Sequence, residues 1–215
     1  MDGKINLADM RTNYTSAPFD KAHVLKNPIA QFKVWFDEAV LSKIEEPNAM
    51  TLATASNEGM PNARIVLLKE FDKKGFVFYT NYESQKGKEL ENNNAAVLLF
   101  FWKELVRQVR INGNVEKISH EESNEYFHSR PRESQIGAWT SNQSSEIPDR
   151  NFLENRFQTL QNEFDGKEIP LPPYWGGYRV LPFEIEFWQG RENRLHDRIL
   201  YSLIENDWKI SRLSP

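Results

Sequence analysis

Between Ala49 and Ile118 the chain passes through five short stretches rich in Val, Leu, Phe and Thr: Ala49–Ala55, Asn62–Phe71, Phe76–Asn81, Ala95–Trp102 and Leu105–Ile118. Turn-forming segments separate most of them, namely Ser56-Asn57-Glu58-Gly59, Asp72 to Gly75 and the link Lys103-Glu104. Closely spaced strand-type runs joined by turns of this length pair as hairpins, because a parallel partner would need a much longer crossover. Further strand-type runs follow at Trp175–Leu181, Phe183–Gln189, Arg198–Ile204 and Trp208–Leu213. The pattern predicts a mainly β, α+β fold: an antiparallel barrel decorated with helices.

The helices announce themselves by their starts. Asn27-Pro28 offers a capping side chain followed by proline at the first helical position. Ile29, Phe32, Phe36, Ala39, Val40 and Ile44 then recur at helical spacing. Ser84 to Asn92 suits a short helix, and Ser119 with Glu122 forms a capping box for one that stops near Pro131. Asp149 to Phe164 reads as another. Residues 1–26 are polar and irregular, so the expected organisation is a flexible N-terminal arm followed by a single domain over 27–215.

A chain of 215 residues with 39% hydrophobic content can bury about 70% of its extended surface, enough for a full core. The absence of cysteine excludes disulfides, thiolate metal sites and cysteine nucleophiles. The four histidines lack zincin spacing, so no metal is expected. There is no P-loop, no G-x-G-x-x-G after a strand and no G-x-S-x-G elbow. Redox chemistry would therefore need an organic cofactor. A net charge of -4 argues against nucleic acid or an anionic membrane as partner. Met1 to Met10 has no secretory apolar core, and Ala95–Trp102 is too short to span a bilayer, so a cytoplasmic location is expected.

Several constellations could carry chemistry. If Arg194 to Arg198 is extended, alternation puts Arg194, His196 and Arg198 on one face. That face suits an anionic or polar ligand, although neutralisation by Glu192 and Asp197 accounts for it equally. Arg64 and Lys69, five apart on a regular strand, would point to opposite faces and serve two partners unless a bulge intervenes. Thr80 ends a strand before a lysine-bearing helix start, an arrangement that can offer donors to a phosphate. Tyr126 and Arg130, four apart, would share a helical face.

Glu186-Phe187-Trp188-Gln189, four intervening residues, then Arg194-Leu195-His196-Asp197-Arg198 resembles the C-terminal signature of the pyridoxamine-phosphate oxidase family. The resemblance runs from about Arg11 to Pro215. It implies an FMN-binding split β-barrel, homodimeric, with FMN at the subunit interface. The implied activity oxidises pyridoxamine 5′-phosphate and pyridoxine 5′-phosphate to pyridoxal 5′-phosphate with O2, releasing H2O2, and ammonia from the amine. In that light Arg194 and His196 face the pyridine as the catalytic pair, while Trp188 and Arg198 contact the flavin. Arg64, Ile65, Val66, Leu67, Leu68 and Lys69 resemble the flavin-binding strand, with Arg64 on the FMN side and Lys69 reaching the substrate phosphate. Tyr79, Thr80, Gln85, Lys86, Gln108, Gln143 and Ser144 match further FMN positions. Relatives often carry Arg where this chain has Gln85, a departure that weakens one cationic phosphate contact. Tyr126, Arg130 and Ser134 match the substrate-phosphate segment, and Arg11 and Tyr14 a part of the arm that folds over the site. Competing readings are a split-barrel flavin reductase using a nicotinamide donor and a non-catalytic vitamin B6 or flavin carrier.

Overall fold

The computed structural model describes Tyr14 and residues 18–215; the expectation for Arg11 lies outside the described residues. Five α-helices and nine strands are formed there: α1 (Pro28–Leu41), β1 (Ala49–Ala55), β2 (Pro61–Leu67), β3 (Glu70–Asp72), β4 (Gly75–Asn81), α2 (Gln85–Asn92), β5 (Ala95–Trp102), β6 (Arg107–Lys117), α3 (His120–Ser129), α4 (Arg132–Thr140), α5 (Arg150–Glu163), β7 (Trp175–Gln189), β8 (Asp197–Ile204) and β9 (Asp207–Leu213). The strand order is β2-β1-β5-β6-β7-β4-β3, with β8 between β7 and β9. The pairs β1–β2, β3–β4, β4–β7, β7–β8 and β8–β9 are antiparallel. The expected antiparallel β fold with helices is what these residues form. Among the described residues no helix is long and apolar enough to cross a membrane.

The chain divides into two compact units, and each is described by itself. The first takes the described residues of Met1–Pro47 with Leu99–Ile111 and Glu184–Pro215. Its core is aromatic: Phe32 of α1 meets Phe100 at 5.1 Å, and Trp35 meets Phe187 edge-on at 5.2 Å. Asn27 accepts hydrogen bonds from the Ile29 and Ala30 N–H groups, the cap its sequence announces.

The second unit, Asn48–Leu98 with Asn112–Phe183, buries Met50, Leu52, Phe76, Phe78 and Leu98 along its strands. Its helices α3, α4 and α5 enclose a satellite core of Phe127, Ile136, Phe164, Ile169 and Trp175. Ser119 and Glu122 close the capping box at the start of α3, and Ser84 caps α2 through the Gly87 N–H. Gly87 is required where it stands, because a Cβ there would lie 2.0 Å from the Tyr82 carbonyl oxygen. The close approach seats the first turn of α2, and with it Lys86, against the chain leaving β4.

Four expectations need correction. The run Asn62–Phe71 is two strands, broken at Leu68-Lys69. The cause is that consecutive N–H groups find acceptors elsewhere: Leu68 donates to Asn48 O (2.8 Å) and Lys69 to Val77 O (2.9 Å). Conversely, Trp175–Leu181 and Phe183–Gln189 form one strand across Pro182. Residues 175–180 pair with β4 and 184–189 with β8, so the proline sits at the hand-over, where no ladder donor is needed. Arg130 is outside α3: it has extended backbone (φ -77°, ψ 151°) ahead of Pro131, and α4 begins at Arg132. Finally, Arg194 is not on a strand. It ends a 3₁₀ turn with φ 62°, Asn193 beside it has φ 55°, and β8 begins only at Asp197. The alternation argument for Arg194, His196 and Arg198 therefore fails.

Candidate functional site

The second unit holds a cavity of about 920 Å³, within the range of about 300–1,000 Å³ usual for small-molecule sites. Its lining includes Arg64, Ile65, Val66, Leu67 and Lys69 from the β2–β3 region, Tyr79 and Thr80 of β4, Gln85 and Lys86 of α2, Tyr126, Arg130 and Ser134 around the α3–α4 junction, and Gln143 and Ser144 beyond α4. Arg64 and Lys69 thus open on the same cavity, against the regular-strand expectation, because the break at Leu68-Lys69 resets the alternation. Leu68 is 4% exposed and turns into the core instead.

Two cations in this cavity, the buried Lys86 and the half-buried Arg130, have neutral hydrogen-bond partners. Lys86 donates from Nζ to Gln143 Oε1 (2.9 Å), Thr80 Oγ1 (3.2 Å) and Ser84 Oγ (3.3 Å). Burial, aided by the nearby charge of Arg64 and opposed by Glu89, pulls its ammonium down to about 8. Arg130 donates from Nη2 to the Ser134 carbonyl at 2.9 Å and lies 4.7 Å from the centre of the Trp175 ring. Its Nη1 is buried without a hydrogen-bond partner, and burial lowers its pKa. Buried donors of charged groups rarely go unused. A bound oxyanion would supply the acceptor that Arg130 Nη1 lacks and a counter-charge for Lys86, whose three acceptors are all neutral. Pro131 gives α4 no side-chain cap, and the start of this helix, at Pro131 and Ser134, lines the cavity together with Arg130.

The same cavity has an aromatic wall of Tyr79, Tyr126 and Trp175. Tyr79 stacks on Tyr126 at 3.8 Å and on Trp175 at 5.4 Å, with interplanar angles of 18° and 15°. Burial first, and the charges of Glu70 and Glu122 after it, push the Tyr79 hydroxyl up to about 12. It is a hydrogen-bond donor at neutral pH, not a base. Ser144 holds φ 70° and its Oγ accepts from the Gln85 N–H at 3.3 Å, which ties the Gln143-Ser144 loop to the start of α2.

In the first unit, Trp188 and Arg198 are directly opposed across β7 and β8, and the Trp188 and His196 rings lie 4.6 Å apart. Arg191 N–H donates to His196 Nδ1 at 3.1 Å, which leaves the neutral imidazole protonated at Nε2. Burial, with Arg194 adding to it and Asp197 opposing, lowers the His196 pKa. Arg198 donates from Nε to Glu186 at 2.6 Å, and Arg110 holds the other oxygen of that carboxylate at 2.7 Å. Tyr14 is 6.1 Å from His196 and 6.4 Å from Trp188. Gln108 is half-buried on β6. Trp175 and the group Thr54, Asn62 and Glu89 were not anticipated. The spacing of Glu89, three and four residues beyond Lys86 and Gln85 on the expected helix, was the available signal.

Residues 36–163 match the family described as pyridoxamine 5′-phosphate oxidase, and residues 175–215 match its C-terminal dimerisation region. A protein of Trichormus variabilis named pyridoxine/pyridoxamine 5′-phosphate oxidase is 55% identical over 97% of this chain and 98% of its own length. A Burkholderia mallei protein of the same name is 56% identical over 97% and 99%. Among solved structures, PhzG from Burkholderia lata, in complex with tetrahydrophenazine-1-carboxylic acid, is 32% identical with a TM-score of 0.88, covering 93% of this chain and 98% of its own.

Proposed function

Since the chain belongs to the pyridoxamine 5′-phosphate oxidase family, we propose that it is an FMN-dependent oxidase forming pyridoxal 5′-phosphate. Pyridoxine 5′-phosphate and O2 would give the product and H2O2; the amine substrate, with one water in addition, would release ammonia. The observation that carries this reading is the pair of neutrally partnered cations, the buried Lys86 and the half-buried Arg130 with its buried Nη1, in one cavity. They suit two ligands bearing one phosphate each.

Lys86, Arg64, Thr80, Gln85, Gln143 and Ser144 would hold the phosphate end of FMN, and Trp188, Arg198 and Gln108 are proposed as its further contacts. When bound, FMN would supply the two-electron acceptor that no side chain of this chain can provide. Arg130, Lys69, Tyr126 and Ser134 would grip the substrate phosphate, the non-reacting end, so that binding energy fixes the orientation of the reacting carbon. His196, donating from Nε2, and Arg194 would orient the ring substituents. The homodimer and the placement of FMN at its interface are part of the same proposal, supported by the match to the dimerisation region.

The test is anaerobic addition of pyridoxine 5′-phosphate to the FMN-loaded protein. Bleaching of the visible flavin band, reversed by air with H2O2 formed, is the expected result. A band that ignores this substrate but bleaches with NADPH would make the protein a flavin reductase. A band that responds to neither would leave a carrier.

Position 85 gives a second check. Gln85→Arg adds a cation at the proposed phosphate end and is expected to tighten FMN binding about tenfold, measured by quenching of flavin fluorescence. Unchanged affinity would show that this position does not reach the phosphate.

A further inference from the structure

Glu89 is 7% exposed and does not line the large cavity, yet four side chains from three elements converge on it. Thr54 of β1 donates its hydroxyl to Oε2, Asn62 of β2 donates to Oε1 at 2.7 Å, and Gln85 of α2 donates to the same oxygen at 3.0 Å. Arg64 of β2 approaches Oε2 at 3.4 Å through Nη2. Burial opposes ionisation of this carboxyl, but the hydrogen bonds from Thr54 and Gln85 and the charge of Arg64 outweigh it and hold its pKa below the ordinary value. Glu89 is therefore an anion saturated with donors.

The arrangement constrains Arg64 more than anything else. Its Nη1 donates to Thr54 Oγ1 at 2.5 Å and to Leu52 O at 3.3 Å. Because the Thr54 oxygen accepts from Arg64, its own proton is committed to Glu89, so the three groups form one directed chain. Both Nη groups are held from behind, which leaves Nε–H and one Nη2 hydrogen for an occupant of the cavity that Arg64 lines. The amide nitrogen of Gln85 is drawn to the same carboxylate, and Lys86 stands three residues before Glu89 on the helix.

We propose that Glu89 is a positioning residue for the flavin phosphate: without touching the ligand, it locks Arg64 and orients Gln85 at the phosphate end of the cavity. This rests on the flavin reading above and deepens it. Simple charge counting predicts the opposite, since removing an anion behind a phosphate site should strengthen binding. An amide at position 89, however, would set its NH2 group either against the donors of Asn62 and Gln85 or against those of Thr54 and Arg64, and in both orientations it removes the charge that holds Arg64.

The test titrates the flavin-free full-length chain with FMN and with riboflavin, which lacks the phosphate, following flavin fluorescence. Glu89→Gln is expected to weaken FMN about tenfold or more, the loss of one well-placed charged contact, while riboflavin affinity stays as in the parent. Equal losses for both ligands would reduce Glu89 to a packing role, and unchanged or tighter FMN binding would overturn the proposal outright. Thr54→Val, which cuts the link between Glu89 and Arg64, covers the case in which Glu89→Gln does not fold. It should lower the FMN-to-riboflavin preference in the same sense, and Thr54→Ser should restore it; a Thr54→Val preference equal to the parent's counts against the proposal. A parent chain that shows no preference for FMN would instead bring down the flavin reading itself.

Discussion

Arg130→Ala is expected to lower kcat/KM for pyridoxine 5′-phosphate about a hundredfold while the protein keeps its FMN. The magnitude follows from the geometry. Nη1 of Arg130 is buried and unpartnered while Nη2 is tied to the Ser134 carbonyl, so at least one charged donor is reserved for a ligand. Hydrogen bonds to charged groups contribute about 1.5–3 kcal/mol each, and one of them amounts to about one to two decades. The loss should fall mainly on KM, because the phosphate is bound alike in ground and transition states. Unphosphorylated pyridoxine provides the control: its poor turnover should change little. A variant that loses flavin instead would show that Arg130 serves the other phosphate.

Lys86→Met should have the largest effect on the cofactor, weakening FMN binding about a hundredfold, yet the flavin-free protein should melt no lower than the parent. The buried ammonium is an electrostatic liability in the empty cavity, as its depressed pKa records. In the folded, flavin-free chain Lys86 releases its proton at about 8; in the unfolded chain it does so near about 10.4. Below about 8 both states are protonated and the penalty is complete. Between the two values the unfolded chain binds more protons, so stability rises with pH and the penalty is relieved. Phosphate binding needs the charged form, so FMN affinity should fall as pH rises above about 8. Isothermal titration over that range should show the decline in the parent and its absence in Lys86→Met. A pH-independent parent would remove Lys86 from the phosphate site.

Much of this architecture was legible because it is local. Asn27-Pro28, Ser84 and the Ser119–Glu122 pair each mark a helix start with side chains that bond within three residues. The hairpins of β1–β2 and β8–β9 carry their turns in the sequence. The misreadings were decided by distant acceptors. Nothing near Leu68 says that its N–H will bond Asn48 O while that of Lys69 bonds Val77 O. Nothing near Pro182 says that β7 changes partner there. The strand expected from Arg198 is there as β8, but the condition that the chain be extended from Arg194 fails at the 3₁₀ turn Glu192–Arg194, where Asn193 and Arg194 take the left-handed conformation, which Asn accepts more readily than most residues. At the site, the cavity residues were recognisable through resemblance to the family, whereas Glu89 was not: a glutamate on a lysine-rich helix looks like surface until Thr54 and Asn62 arrive from another hairpin.

The interruption at Leu68-Lys69 has a consequence for how such a protein can change. Arg64 belongs to a ladder whose register is fixed by seven facing pairs, so its place cannot drift without disturbing the whole hairpin. Lys69 lies just past that ladder, on a joint where Leu68 is tied to Asn48, ahead of β1, and Lys69 to Val77 of β4. Substitutions around the joint can move the lysine while the arginine stays where it is. On the proposed reading, grip on the cofactor and reach toward the substrate would thereby be mechanically uncoupled along six consecutive residues. With those roles, a scaffold built this way could try new substrates without first surrendering its flavin.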